Sequence, residues 1–451
     1  MNRMNRMNRM KGTAQMSKKM LARGRWLAFA GLGAAAVLTL AACAPPGGSS
    51  SGSSDSATKA SGTLNVGFIS PTSGTFAVAG QQMEDGWKFY WDQANNKAGG
   101  VKIQTTYEDD SGDVNQSLSK AKKLVEQDGV DIVVGPLIAN TASAVAAYTF
   151  SQGIPNLEPV AASNNLTLSG ANDLTVRTSS MGGTQANYAG GEWAATDGKA
   201  KTAVTLCSDY SFGWESCAGF VQGFEAKGGD VVQQIWAPNG TTDFASYVSQ
   251  VLAAKTDVIY VATAGGAPGP AFINAYLGAG GDLDKLLLNC CAADQGTLVS
   301  MDKAGNGDKI IGMKSISYWA EGAKNKATED FVKKYTDATG TIPGAYIAGG
   351  YMTASLLDRV LKEKGLVTGP DLVSSITSFK FEDSIFGKVS WEKGNNMVGP
   401  VYVREVKRHD DGKLYNDVIA ETDNVSQFLG KDPQTVIDQD KSKPYTNSFQ
   451  G

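Results

Sequence analysis

From residue 64 onward, short apolar runs alternate with longer amphipathic stretches. Runs at Leu64–Ile69, Ile103–Tyr107, Asp131–Val134, Asn156–Pro159 and Leu174–Arg177 are bounded by turn residues and read as buried parallel strands. Between them, residues 79–97, 115–127 and 141–152 carry helical periodicity. The series then restarts with Ala203–Cys207, Val231–Trp236, Val258–Ala262, Leu286–Cys290 and Ile310–Ile316, separated by helical stretches at 212–227, 243–254 and 270–279. Asp131-Ile-Val-Val and Asp257-Val-Ile-Tyr hold similar places in the two series. Two βα arrays predict an α/β protein of two doubly wound lobes, with a ligand cleft between the carboxyl ends of their strands. Helical stretches at 326–339 and 343–364 follow, then a β-rich end at Lys388–Trp391 and Val401–Val406. The last 28 or so residues, 424–451, are polar and read as a tail that either covers the surface or is partly disordered.

The first 62 residues follow a different pattern. A basic stretch precedes an apolar run from Trp26 to Ala42, too short and too rich in small residues for a membrane span; this is the arrangement of a signal peptide. Its end, Leu40-Ala41-Ala42-Cys43, resembles a bacterial lipobox, which implies cleavage before Cys43 and acylation of that thiol. Acyl chains on one residue would hold the protein on a membrane. The Gly/Ser-rich stretch that follows buries almost nothing and reads as a flexible tether. The expected organisation is a signal peptide at 1–42 and an anchored linker at 43–62. One lobe follows from 63–178 plus 321–393, the other from 179–320 plus 394–423, and a tail from 424–451.

Composition narrows the function. The formal charge of −4 includes eight basic residues within 1–42 and no acid there; without that segment 33 basic face 45 acidic side chains, a net of −12. Such a surface repels nucleic acid. The single histidine, His409, lies in a His-Asp-Asp-Gly turn, which argues against a histidine metal site or a Ser-His-Asp relay. No Walker A pattern occurs, so the chain is not its own ATPase. Gly48-Ser49-Ser50-Ser51-Gly52 matches a nucleophile elbow in letters only, because it sits in the tether. No catalytic set, cofactor or metal is expected.

Beyond Cys43, four cysteines would meet an oxidising compartment. Cys207 ends a strand and Cys217 follows near the start of the next helix, which predicts a Cys207–Cys217 disulfide. Cys290 and Cys291 are either a vicinal disulfide or two thiols.

Several segments resemble type I periplasmic binding proteins of the leucine/isoleucine/valine-binding type. They are Val66-Gly-Phe-Ile-Ser-Pro-Thr-Ser-Gly-Thr-Phe, Glu108-Asp109-Asp110 with Asp113, Gly135-Pro136, Arg177-Thr178-Ser179, Asp209-Tyr210-Ser211-Phe212-Gly213 and Phe386-Gly387-Lys388-Val389. The resemblance spans about 63–423. It implies two Rossmann-like lobes joined by three crossing strands, with the first lobe regaining the chain after about 317 and the second near 395. It also implies a monomeric solute-binding lipoprotein that passes a small molecule to an ABC permease with its ATPase subunits. A membrane-anchored ligand sensor of the same fold is the alternative. Hinges are expected at about 178–183, 316–321 and 393–399, where the βα series breaks.

The resemblance also places a ligand's carboxylate at the loops after the third and fourth strands. Here those are Ile138, Ala139 and Asn140, and Val160, Ala161 and Ala162, where opening helices would present free N–H groups. Ser73, Thr75 and Phe76 come from the first loop, and Ala264 and Gly265 from the second lobe. Where the family carries a serine, a threonine, an acid and a tyrosine, this chain has Ala139, Ala162, Cys291 and Ala264, with Asp294 nearby. Phe76, Tyr210, Phe212 and Tyr318 are candidates to enclose a flat or apolar body. The expected solute is a small carboxylate or amide with an apolar or aromatic body, or a branched-chain amino acid.

Overall fold

A computed structural model describes residues 62–449; the signal segment, Cys43 and the tether lie outside the described residues. The first βα series builds a six-stranded sheet from β1 (Gly62–Ser70), β2 (Lys97–Ala98), β3 (Val101–Asp109), β4 (Ile132–Val134), β5 (Asn156–Glu158) and β6 (Thr175–Arg177), in the order β2-β3-β1-β4-β5-β6. All pairs except the β2–β3 hairpin are parallel. The interior strands are apolar runs because helices cover both faces.

The second series builds a nine-stranded sheet. Its parallel part is β7 (Thr202–Asp209), β8 (Asp230–Pro238), β9 (Val258–Ala262), β10 (Leu286–Leu288) and β11 (Lys314–Ser317). Antiparallel strands β12 (Phe381–Ser384), β13 (Gly387–Glu392), β14 (Asn396–Arg408) and β15 (Leu414–Val425) extend it beyond β11. The chain thus leaves this sheet at Ser317 and re-enters it at β12, joining β11 directly through β14. In between, the helix Ala345–Lys364 packs along the helix Ala77–Gln93 beside the first sheet. The approach is close: a Cβ at Gly86 would meet the Ile347 carbonyl oxygen at 1.9 Å, and one at Gly350 would meet that of Met83 at 2.1 Å. Tyr90 Oη donates to Asp358 Oδ2 across the same pair at 2.7 Å.

Several elements differ from the sequence expectation. β10 stops at Leu288, not Cys290, because Asn289 folds the chain into a turn by accepting from Ala292 N at 3.1 Å. Residues Gly307–Ile310 form a 3-10 turn, and the strand begins only at Lys314. The loop Pro159–Ser163 opens no α-helix; a three-residue 3-10 turn, Asn164–Leu166, follows it. Asn164 is committed elsewhere, its N–H to Glu215 Oε2 at 2.8 Å and its amide to Thr184 Oγ1. Within the polar tail, Pro433–Ser442 is an α-helix. Its Ile437 is buried with Leu168 and Phe428, and Asp432 caps its start by accepting from Thr435 N at 2.9 Å.

Cys207 and Cys217 are joined, with Cα atoms 6.3 Å apart. Cys207 lies in β7 and Cys217 one and a half turns into the helix Ser211–Ala226, so the bridge ties that strand to the helix covering it. Cys290 and Cys291 are free thiols.

Candidate ligand-binding cleft

The carboxyl ends of β1, β4 and β5 face those of β7, β9 and β10, and the loops leaving them meet. Ala267 N donates to Thr75 O at 3.2 Å, and Gly266, at φ +90°, brings its Cα side against the Thr75 carbonyl. Only glycine fits this approach without strain. Behind the contact lie two cavities that share Cys291 and Tyr346. The inner one is small, about 30 Å³, and the outer one is about 290 Å³.

The inner cavity takes Leu137, Ile138 and Ala139 from the loop after β4, and Val160 and Ala162 from the loop after β5. From the other sheet it takes Tyr210 and Phe212 at the start of the helix after β7, Ala264 and Gly265 after β9, and Cys291 after β10. Nine of the sequence-predicted residues therefore converge here. Thr75, Cys291 and Asp294 line the outer cavity. Ser73, Phe76, Asn140, Ala161 and Tyr318 line neither. Ser73 is exposed and bonds Ser111 at 2.7 Å, Asn140 turns back to accept from Thr141 N at 3.1 Å, and Tyr318 stacks on Phe386 with ring centres 6.3 Å apart. Phe76 packs under Gly112 instead.

The loop after β5 is shaped by a buried cation. Arg177, 0% exposed, donates to the carbonyl oxygen of Ala161, to Ser163 O at 2.8 Å and to Asn396 Oδ1 at 3.0 Å. Ser179 Oγ holds Pro159 O at 2.7 Å and Ser180 Oγ holds Ala161 O at 3.2 Å. With these carbonyls tied back, the N–H groups of Val160, Ala161, Ala162 and Ser163 find no acceptor among the described residues, although all four residues are buried. The helix Ala139–Ser151 adds that of buried Ala139, because Ile138 offers no side-chain cap, whereas the next residue, Asn140, is exposed. Each buried donor left unpaired costs about 1–3 kcal/mol. An anion satisfying several at once would remove that cost; of the two helices expected to present free N–H groups, only the one after β4 forms.

The other sheet repeats the device. Arg404, also 0% exposed, donates to Ser315 Oγ at 3.1 Å, to Trp319 O at 3.2 Å, and to Cys290 O and Ala293 O at 3.3 and 3.4 Å. It fixes the turn that carries Cys291 toward both cavities. Burial pushes the Asp294 carboxyl up, and Arg404 and the Ala345 N–H, 2.8 Å from Oδ1, pull it down.

Tyr346, shared by both cavities, is a lining residue that the sequence did not announce. It is 3% exposed, its hydroxyl has no partner of regular hydrogen-bond geometry, and a Cβ at Gly265 would meet that hydroxyl oxygen at 2.1 Å. Burial first, then the Cys291 and Asp294 neighbourhood, push its ionisation well above the ordinary range, so it faces the cleft as a neutral O–H. Its one sequence signal is the Gly344 before the helix; the partner Gly265 is remote in sequence. Among the described residues no cluster of three or more His, Cys, Asp or Glu is placed to hold a metal ion, and no helix is long and apolar enough to cross a membrane.

The model of the family described as periplasmic binding protein matches residues 63–413. The chain belongs to the periplasmic binding protein family. Solute-binding proteins of this family, of the type I fold, hold a small molecule between two lobes for an ABC importer on the outer side of the membrane; binding, not catalysis, is their work. Among its relatives, the Leu/Ile/Val-binding protein homolog 6 of Brucella melitensis is 25% identical over 365 residues, covering 79% of this chain and 90% of that one. An ABC-transporter solute-binding protein of Rhodopseudomonas palustris, solved with 3,4-dihydroxybenzoic acid, is 28% identical with a TM-score of 0.74, covering 81% of this chain and 98% of that one. Another from R. palustris, solved with 4-hydroxybenzoate, is 26% identical with a TM-score of 0.74, covering 82% and 100%.

Proposed function

We propose that this periplasmic binding protein is a lipid-anchored component of an ABC importer whose cargo is a small carboxylate with an aromatic body. The observation that carries the reading is the wall of the inner cavity. It is apolar and aromatic, it contains no carboxylate, and it borders buried N–H groups without acceptors. Such a wall suits an anion attached to a flat apolar group and offers nothing to an ammonium, whose burial unpaired is costly. Tyr210 and Phe212, packed on each other with ring centres 6.1 Å apart, would together line one side of the ring, and Tyr346 would supply a hydroxyl to a polar substituent. The R. palustris proteins solved with hydroxybenzoates support the same class of cargo.

One observation favours a branched-chain amino acid instead: Asp294 Oδ2 is buried and has no hydrogen-bond partner. It borders the outer cavity, though, and its other oxygen is already used. The lobes, 63–178 plus 321–393 and 179–320 plus 394–423, would close on the solute by bending near 178–183, 316–321 and 393–399. Cys43 would carry the acyl chains. Calorimetric titration of the purified protein with benzoate, 4-hydroxybenzoate and leucine separates the two cargo classes. Binding of leucine with no heat from either aromatic acid would refute the aromatic reading.

A further inference from the structure

Solute capture uses no thiol chemistry, yet the fold holds the cysteine pair at 290–291 in a defined way. Consecutive residues in a strand point to opposite faces. Here the strand has already ended, and Asn289 and Arg404 pin the turn from both sides. Asn289 Oδ1 accepts from Ala292 N and its Nδ2 donates to Thr263 O, each at 3.1 Å, and Arg404 holds the Cys290 and Ala293 carbonyls. The two sulfurs are left side by side, 3.1 Å apart, with both residues partly exposed. Cys291 lines both cavities.

We propose that Cys290 and Cys291 are a redox modification site, a dithiol that exchanges with small disulfides entering the cleft and closes into a vicinal disulfide. The Cys291 thiolate attacks one sulfur of a disulfide RSSR. The S–S bond breaks, a Cys291–SR bond forms, and RS⁻ leaves to take up a proton. The Cys290 sulfur then loses its proton to solvent and attacks the Cys291 sulfur, expelling the second RS⁻, which is protonated in turn. Two thiols give up two electrons and two protons, and one disulfide becomes two RSH. The order follows from position: Cys291 faces the cavities an incoming disulfide can enter. Cys290 loses its proton late, since its hydrogen bond with Cys291 pushes its thiol up. Bond formation draws the sulfurs to about 2.05 Å, so the wall shared by the two cavities shifts by about 1 Å. The proposal does not depend on which solute the cleft takes.

The test treats the native, reduced protein with oxidised glutathione, then alkylates under denaturing conditions and reads the intact mass. Both thiols should become unavailable to alkylation, with no retained glutathione, and a reductant should restore them; peptide mapping should place the new bond at 290–291 with Cys207–Cys217 unchanged. In Cys290→Ser the glutathione adduct should persist on Cys291, and Cys291→Ser should react about tenfold more slowly. Two alkylatable thiols after treatment, or a stable glutathione adduct on the unmodified sequence, would overturn the proposal. That measurement decides even if a variant fails to fold.

Discussion

Glu158 should make the stability of this protein fall with rising pH, and Glu158→Gln should remove that component. The residue ends β5, 0% exposed, with neither carboxylate oxygen in regular hydrogen-bonding geometry. Burial pushes its carboxyl up to about 8 from 4.5, against the pull of Arg177. In the unfolded chain the group titrates near its ordinary value, so between the two values the folded state holds a proton that the unfolded state has lost. The resulting stabilisation is complete below the unfolded value and is withdrawn as pH climbs through about 8. At about 1.4 kcal/mol per unit, the full span corresponds to about 5 kcal/mol as an upper bound, and relaxation around the charge should leave about 2–3 kcal/mol. Glutamine keeps the shape and cannot ionise. Its stability relative to the parent should therefore rise by about 2–3 kcal/mol between pH 5 and pH 8.5, whatever constant offset the lost Arg177 attraction adds. Denaturant unfolding followed by tryptophan fluorescence at the two pH values measures this. A stability difference that stays constant with pH, or shrinks, would refute the reasoning.

Tyr346→Phe should leave thermal stability within about 0.5 kcal/mol, because no regular hydrogen bond is lost, yet weaken 4-hydroxybenzoate about tenfold by calorimetry. Gly265→Ala places a methyl group 2.1 Å from that hydroxyl oxygen and should displace the ring, weakening the same ligand by about tenfold or more. Breaking the Cys207–Cys217 bridge by Cys217→Ala should cost about 2–3 kcal/mol, since the residues are separated by only 10 positions; denaturant midpoints measured on both proteins check this.

Two βα series could be read from apolar runs alone because buried parallel strands have no polar face to disguise them; β1, β4, β7 and β9 fall where the pattern put them, within two residues or so. The loops at the carboxyl edge were legible too, since α/β sheets bind ligands there, and nine of the predicted residues, from the loops after β4, β5, β7, β9 and β10, line one cavity. β15 escaped notice because it runs along the exposed flank of the second sheet as a largely polar strand, Leu414–Val425, held by pairing with β14 instead of by burial. The tail helix escaped because one buried residue, Ile437, is all its sequence offers to a core. What tertiary structure alone decided is the polarity of the site. Arg177 and Arg404 stand in or at the end of short apolar runs with no partner legible in the sequence, and only the assembled lobes show each fully buried, drawing the carbonyls of a neighbouring loop backward. Tyr346 reaches the cleft for a related reason: it stands on a helix beside the first sheet but faces Gly265 of the second, a meeting set by how the chain crosses between the lobes and invisible to any local pattern.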